Sequence, residues 1–183
     1  MPGAVKAPKT FDVAQGFKFQ AGGGGPAGVK IEHRIGVNAP ASVIWDVIFD
    51  VGAWPQWSEI YPQAAGEVRI GSALNLTLAL PGEAHRAVQA TVLDWAPNDQ
   101  LHLRQSRYGG LLRSTRYLEI EILGDESCIF SNGELFQGLL LSSVRGRGSR
   151  SLRKGFTLLG EGLKVRAEAA WRAGGAATTS TGE

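Results

Sequence analysis

Residues 151–163 read SLRKGFTLLGEGL. Leu152, Phe156, Leu159 and Leu163 recur at spacings of four, three and four, which makes one apolar stripe of a long helix over roughly 145–170. Arg147, Arg150 and Lys154 fall on the opposite side. Gly155, Gly160 and Gly162 interrupt the run, and each costs ~1 kcal/mol against alanine in a helix interior. They imply close approach of another element, or room left beside the helix. Upstream the apolar period drops from 3.6 to two, so a sheet precedes this helix.

Leu74, Leu76, Leu78 and Leu80 alternate with Asn75, Thr77 and Ala79, and Pro81-Gly82 supplies a turn. Residues 85–95, 101–105, 113–123 and 128–136 repeat the pattern between short turns, the sign of an antiparallel meander with one face buried. Residues 29–37 open the domain as another strand, with Val29, Ile31, His33, Ile35 and Val37 on one face. A helix follows, with Asn38 as its expected cap and Ile44, Trp45, Ile48 and Phe49 as its apolar stripe. Pro55 and Pro62 allow only a short helical piece over 53–61. In it Trp57 is expected to point inward and Trp54 to lie nearer the rim.

This is an α+β layout in one domain, 29–171. Residues 1–28 read as a flexible tail ending in the linker AGGGGPAG, and 172–183 as a second flexible tail. The chain has 183 residues, 43% hydrophobic, with a formal charge of +2, so bulk charge gives no nucleic-acid footprint. A single cysteine, Cys128, rules out an intrachain disulfide and a cysteine-cluster metal site. There is no apolar leader and no run of membrane-spanning length, so a cytoplasmic location is expected.

Four stretches, in this order, resemble the SRPBCC or START-like superfamily and its polyketide cyclase/dehydrase-related branch: APASVIWDVI (39–48), DVGAWPQW (50–57), NGELFQGLL (132–140) and GFTLLGEGLKVRAE (155–168). Gly160 or Glu161 stands where members of that superfamily often carry asparagine. The resemblance implies the helix-grip fold: a curled antiparallel sheet wrapped around a long C-terminal helix, with two short helices between the first and second strands. It also implies a mostly apolar cavity between sheet and helix. Candidate walls are Trp45, Phe49, Trp54 and Trp57 from the helical pair, Leu76, Leu78, Leu103, Phe130 and Phe136 from the strands, and Phe156 and Leu159 from the last helix. The same residues could equally be a filled core.

Polar residues on inward faces carry more information. Gln105 follows Leu101 and Leu103, and Asn132 and Glu134 share a face with Cys128, Phe130 and Phe136. They are candidate ligand contacts, and a buried Glu134 needs a partner such as Arg116 or Arg104. Glu134 and His33 are weak catalytic candidates; no hydrolase elbow, metalloprotease motif or phosphate-cradling glycine loop is present. No metal or cofactor is expected.

The leading expectation is a ligand-binding protein, without catalysis, for a hydrophobic small molecule such as a lipid, quinone or polyketide-like compound. The alternatives are a polyketide cyclase/aromatase-type enzyme and a protein-interaction module with a filled core. No nucleic-acid partner and no stable membrane insertion are expected. Transient membrane contact through Arg147, Arg150 and Lys154 is the further option. Oligomeric state is not readable from the sequence.

Overall fold

The alternation over 29–37 is realised as strand β1 (Val29–Val37), in a computed structural model that describes residues 28–144 and 146–179. The expected N-terminal tail falls, but for Gly28, outside the described residues. Helix α1 (Ala41–Phe49), a 3-10 turn (Val51–Ala53) and the single turn α2 (Trp54–Trp57) follow. Then come β2 (Gln63–Ala65), β3 (Ala73–Leu78), β4 (Arg86–Ala96), β5 (Gln100–Arg107), β6 (Leu112–Gly124), β7 (Ser127–Gly138) and the long helix α3 (Arg147–Thr179). The seven strands make one antiparallel sheet in the order β1-β7-β6-β5-β4-β3-β2. The sheet curls around α3, which packs on β1, β7 and α1. Ile31, Ile44, Ile48, Leu74, Leu101, Phe130 and Leu163 form the core between them.

Local chemistry explains where the boundaries depart from expectation. Helix α1 starts at Pro40, whose carbonyl accepts from the amides of Val43 and Ile44, and no side chain caps it. The amide of Asn38 instead donates to the Glu168 carboxylate on α3 at 2.9 Å. Asp50 then caps the 3-10 turn by accepting from the Ala53 amide. Strand β3 stops at Leu78, because the Ala79 amide bonds Ile60 rather than a strand neighbour. Strand β2 is too short to show any period and has no sequence signal. Helix α3 continues past residue 171 to Thr179, with no proline to stop it.

The tryptophan pair is arranged opposite to expectation. Trp54 is the buried one, at 1% exposure, packed on Tyr61 and donating its indole N–H to the Ile48 carbonyl at 3.0 Å. Trp57 is half-buried and edge-on to Trp54, and its backbone carbonyl meets Gly162 of α3. The partner for the indole nitrogen decides the inversion: α1 ends with a free carbonyl under Trp54.

Candidate functional site

Register places the inward polar residues side by side. Arg116 on β6 lies opposite Glu134 on β7 and Leu103 on β5; Gln105 lies opposite Ser114; Asn132 lies opposite His33 and Leu118. All share the face of the sheet that carries Phe130, Phe136 and Leu101, so the pleat forces them into the interior. Arg116 is 1% exposed, Glu134 2% and Asn132 fully enclosed.

The cluster is charged but loosely paired. Arg116 Nη1 stands 4.0 Å from Glu134 Oε2, and Arg107 Nη2 stands 4.0 Å from Glu134 Oε1. Both gaps exceed hydrogen-bond length. Arg116 Nε and Nη2, Arg107 Nη2, Glu134 Oε1, Gln105 Oε1 and Asn132 Oδ1 are buried with no hydrogen-bond partner among the described residues. The Phe156 ring of α3 covers the Arg116 guanidinium, with 4.0 Å from its carbon to the ring centre, and Tyr61 lies 5.8 Å away. Stacking of this kind favours a desolvated guanidinium but supplies no hydrogen-bond acceptor. Asn132 Nδ2 donates to the Phe156 carbonyl at 3.1 Å and so fixes that turn of α3 over the cluster.

Arg86 on β4, opposite Leu78, is partly buried. Burial holds its guanidinium below the usual arginine range, helped by Arg107, while Glu134, Glu83 and Tyr108 pull the other way. Burial pushes the Tyr61 phenol up, with Arg116 and Arg86 opposing and Glu134 reinforcing. Two guanidinium groups, of Arg116 and Arg107, therefore face one buried carboxylate. Such an arrangement can bind and polarise an oxygen-bearing group brought in among them.

No protein-family model and no curated protein sequence matches the chain. Solved structures do. The di-domain ARO/CYC StfQ from the steffimycin biosynthetic pathway is similar at 16% identity and a TM-score of 0.60, over 80% of this chain and 52% of that one. The chain thus spans about half the length of that di-domain protein. A START superfamily protein from Mycobacterium smegmatis is similar at 19% identity and a TM-score of 0.56, over 79% of this chain and 97% of that one. The chain has the START-like helix-grip fold. A norcoclaurine synthase point mutant from Thalictrum flavum, in complex with a transition-state analogue, shares it at 14% identity and a TM-score of 0.58, over 81% of this chain and 99% of that one.

In this START-like domain the residues named from the sequence divide into three groups. Gln105, Asn132 and Glu134 meet at the polar cluster, with Phe156 as its cover. Leu76, Leu78, Leu103, Phe130, Phe136 and Leu159 are buried around it. A ligand-sized chamber would leave its walls accessible to a water-sized sphere; these walls have almost no accessible area, so the interior of this conformation is filled. Phe49 departs from its expected place: it is 42% exposed, held at the edge of an aromatic trio with Trp45 and Trp95. It is the last residue of α1, and one side of its ring meets Trp95 of β4 edge-on while the other is open to solvent. Trp57 lines an open groove of about 360 Å³ between α1 and α3 instead of the interior, together with Val47, Asp50 and Arg166. A second open concavity, of about 640 Å³, lies over β2, β3 and β4 and reaches Leu76.

His33 sits one strand away from the cluster. Its Nδ1 is buried against Gly160 with no partner among the described residues. Burial lowers its pKa, partly offset by Glu161. Of the two partners weighed for Glu134, Arg116 is the neighbour and Arg104 is exposed on the far face. Arg86 and Arg107 were missed, although period two places them with Val88 and Ala90 and with Leu103 and Gln105 respectively. Arg150 and Lys154 are exposed on α3, whereas the side chain of Arg147 lies outside the described residues. Among the described residues no helix is long and apolar enough to cross a membrane.

Proposed function

We propose that this domain binds a hydrophobic small molecule between the sheet and α3, with an oxygen-bearing group of the ligand seated at Arg116, Glu134, Arg107 and Gln105. A lipid, quinone or polyketide-like compound has the required apolar body. One observation carries the reading: Arg116 is wholly buried, yet two of its nitrogens find no acceptor among the described residues. Native interiors rarely leave such groups unsatisfied, and perturbed polar clusters in apolar surroundings concentrate at binding sites. The ligand displaces Phe156 from the guanidinium as it enters, so the filled interior is the closed state of the site. Native mass spectrometry of protein purified from its own host tests the reading. A lipophile that co-purifies with the wild type and is lost from Arg116→Met supports it; wild type carrying only its own mass, with no gain on incubation with long-chain compounds, counts against it.

A second reading is an enzyme of the cyclase/aromatase kind. What favours it is the meeting of a guanidinium, a carboxylate and a phenol at Arg116, Glu134 and Tyr61. The first could polarise a carbonyl and the second could move a proton. It shares its fold with the ARO/CYC protein above, which is a likeness of fold alone. Turnover of a poly-β-carbonyl analogue, lost in Glu134→Gln with binding retained, separates catalysis from carriage. The interaction-module reading calls for a filled interior and exposed aromatics; the interior is filled and Phe49 is exposed, but Trp54 is enclosed and Trp57 half-buried, which counts against it.

A further inference from the structure

We propose that the group recognised at the buried cluster is an anion, which makes the ligand an amphipathic acid: a carboxylate head on an apolar body. The proposal rests on the interior-binding reading above and names its ligand class.

Charge balance comes first. Arg116 and Arg107 flank Glu134 at equal distances of 4.0 Å. Arg116 and Glu134, both fully buried, balance one to one, and Arg107, partly exposed, adds a second positive charge at the same carboxylate. An uncompensated charge out of water is costly and is kept only where a counter-ion completes the site.

Hydrogen-bond geometry points the same way. Three unpartnered donors, Arg116 Nε and Nη2 and Arg107 Nη2, stand among three unpartnered acceptors, Glu134 Oε1, Gln105 Oε1 and Asn132 Oδ1, and two of the donors belong to the one guanidinium. Nε and Nη2 of one guanidinium form the fork that takes both oxygens of a carboxylate in parallel. A hydroxyl oxygen can accept from both nitrogens but is a single neutral atom that cannot span the fork with two parallel bonds. An ammonium would satisfy neither and would face the guanidinium groups of Arg116 and Arg107. The apolar body is accommodated by what surrounds the fork: Phe156 lies over it, and Leu103, Phe136 and Tyr61 lie beside it.

The test uses one chain length and three heads. Dodecanoate, dodecanol and dodecylammonium are titrated into the full chain at pH 7 by calorimetry, below their aggregation concentrations. The Nε–Hε resonance of Arg116 is followed by NMR. Dodecanoate is expected to bind at least tenfold more tightly than dodecanol, with dodecylammonium weakest, and to shift the Arg116 resonance. Arg107→Met is expected to weaken dodecanoate about tenfold and dodecanol less than threefold. Arg150→Met, on the exposed side of α3, is expected to change none of the three.

Dodecanol binding within twofold of dodecanoate, with the Arg116 resonance shifted by both, overturns the anion proposal and leaves interior binding standing. Dodecanoate binding without any change at Arg116 places the molecule elsewhere and also overturns it. If no head group binds and the resonance never moves, the interior-binding reading falls with it.

Discussion

A guanidinium that has left water is stabilised only as far as acceptors and countercharges replace the solvent. Arg116 has a carboxylate at 4.0 Å and a phenyl ring at the same distance, and little else. Two outcomes follow for purified, ligand-free protein. Removing one partner, as in Arg116→Met, is expected to lower stability by ~1–3 kcal/mol, because Glu134 stays buried with only the partly exposed Arg107 beside it. Arg116→Met combined with Glu134→Leu is expected to recover most of that loss. Urea unfolding of the singles and the double reads it directly, and additive losses in the double would show that the two charges do not interact. His33 supplies a pH dependence at the same scale. Burial favours its neutral form, so the folded pKa lies below the unfolded value of about 6.5. The unfolded chain takes up the proton first, and this part of the stability, intact above that value, is lost as pH falls through the folded pKa. The urea midpoint is expected to drop less between pH 7.5 and 5.5 in His33→Gln than in wild type; equal drops would remove His33 from the account. These residues were partly legible in the sequence. Period two marks Gln105, Asn132 and Glu134 as inward. It marks Arg86 and Arg107 equally, but an arginine near a strand end is usually solvated, and only the side-chain geometry brings Arg107 to Glu134.

At the scale of the element, the glycines of α3 explain why the helix tolerates poor helix formers. A Cβ at position 160 would stand 2.6 Å from His33 Nδ1, and one at 162 would collide with the Trp57 carbonyl. The helix needs these positions bare to lie close against β1 and the α2 turn. Gly162→Ala is therefore expected to destabilise by ~1–3 kcal/mol, although alanine gains ~1 kcal/mol in helix propensity. Gly174, in the same helix, has nothing within 4 Å of an added Cβ. Gly174→Ala is expected to be stabilising by a few tenths to ~1 kcal/mol. Opposite signs for one substitution on one helix, read from thermal or urea unfolding, would establish the packing cause; equal signs would refute it. The sequence announced that the glycines needed a reason and left two open, approach or vacancy. Periodicity could not choose between them, because it ranks faces and carries no distances. The exchange of Trp54 and Trp57 has the same origin: which indole finds a carbonyl depends on where α1 ends.

At the scale of the molecule, order and period indicated an α+β layout, since a strand, a helical pair, a meander and a long amphipathic helix have few ways to bury their apolar faces together, and the resemblance of four stretches to the START-like superfamily implied the helix-grip arrangement. Whether the interior is open was not legible. A void is a small difference between the volume enclosed and the volume of the side chains filling it, and composition fixes neither. The closed interior makes ligand binding a stability measurement. A molecule that binds only the folded state at a hundredfold excess over its Kd adds ~2.7 kcal/mol, or roughly 5–10 °C in Tm for a domain of this size. Dodecanoate is expected to give that shift in wild type and a clearly smaller one in Arg116→Met; the same shift in both would detach the site from Arg116.

The sheet order has a consequence in time as well as space. Strand β1 pairs with β7, Val29 against Phe136 and Val37 against Cys128, so the first strand made waits for the last. The hairpins β3 to β7 can form as they emerge, but β1 has no strand to pair with until β7 is complete. Closure of so long a loop places this pairing late on the folding route, and contacts that form late govern the rate of escape from the native state more than the rate of arrival. Ile31→Val, in the middle of β1, is expected to speed unfolding more than it slows refolding in a chevron experiment. A slowed refolding limb with unchanged unfolding would place β1 in the nucleus instead.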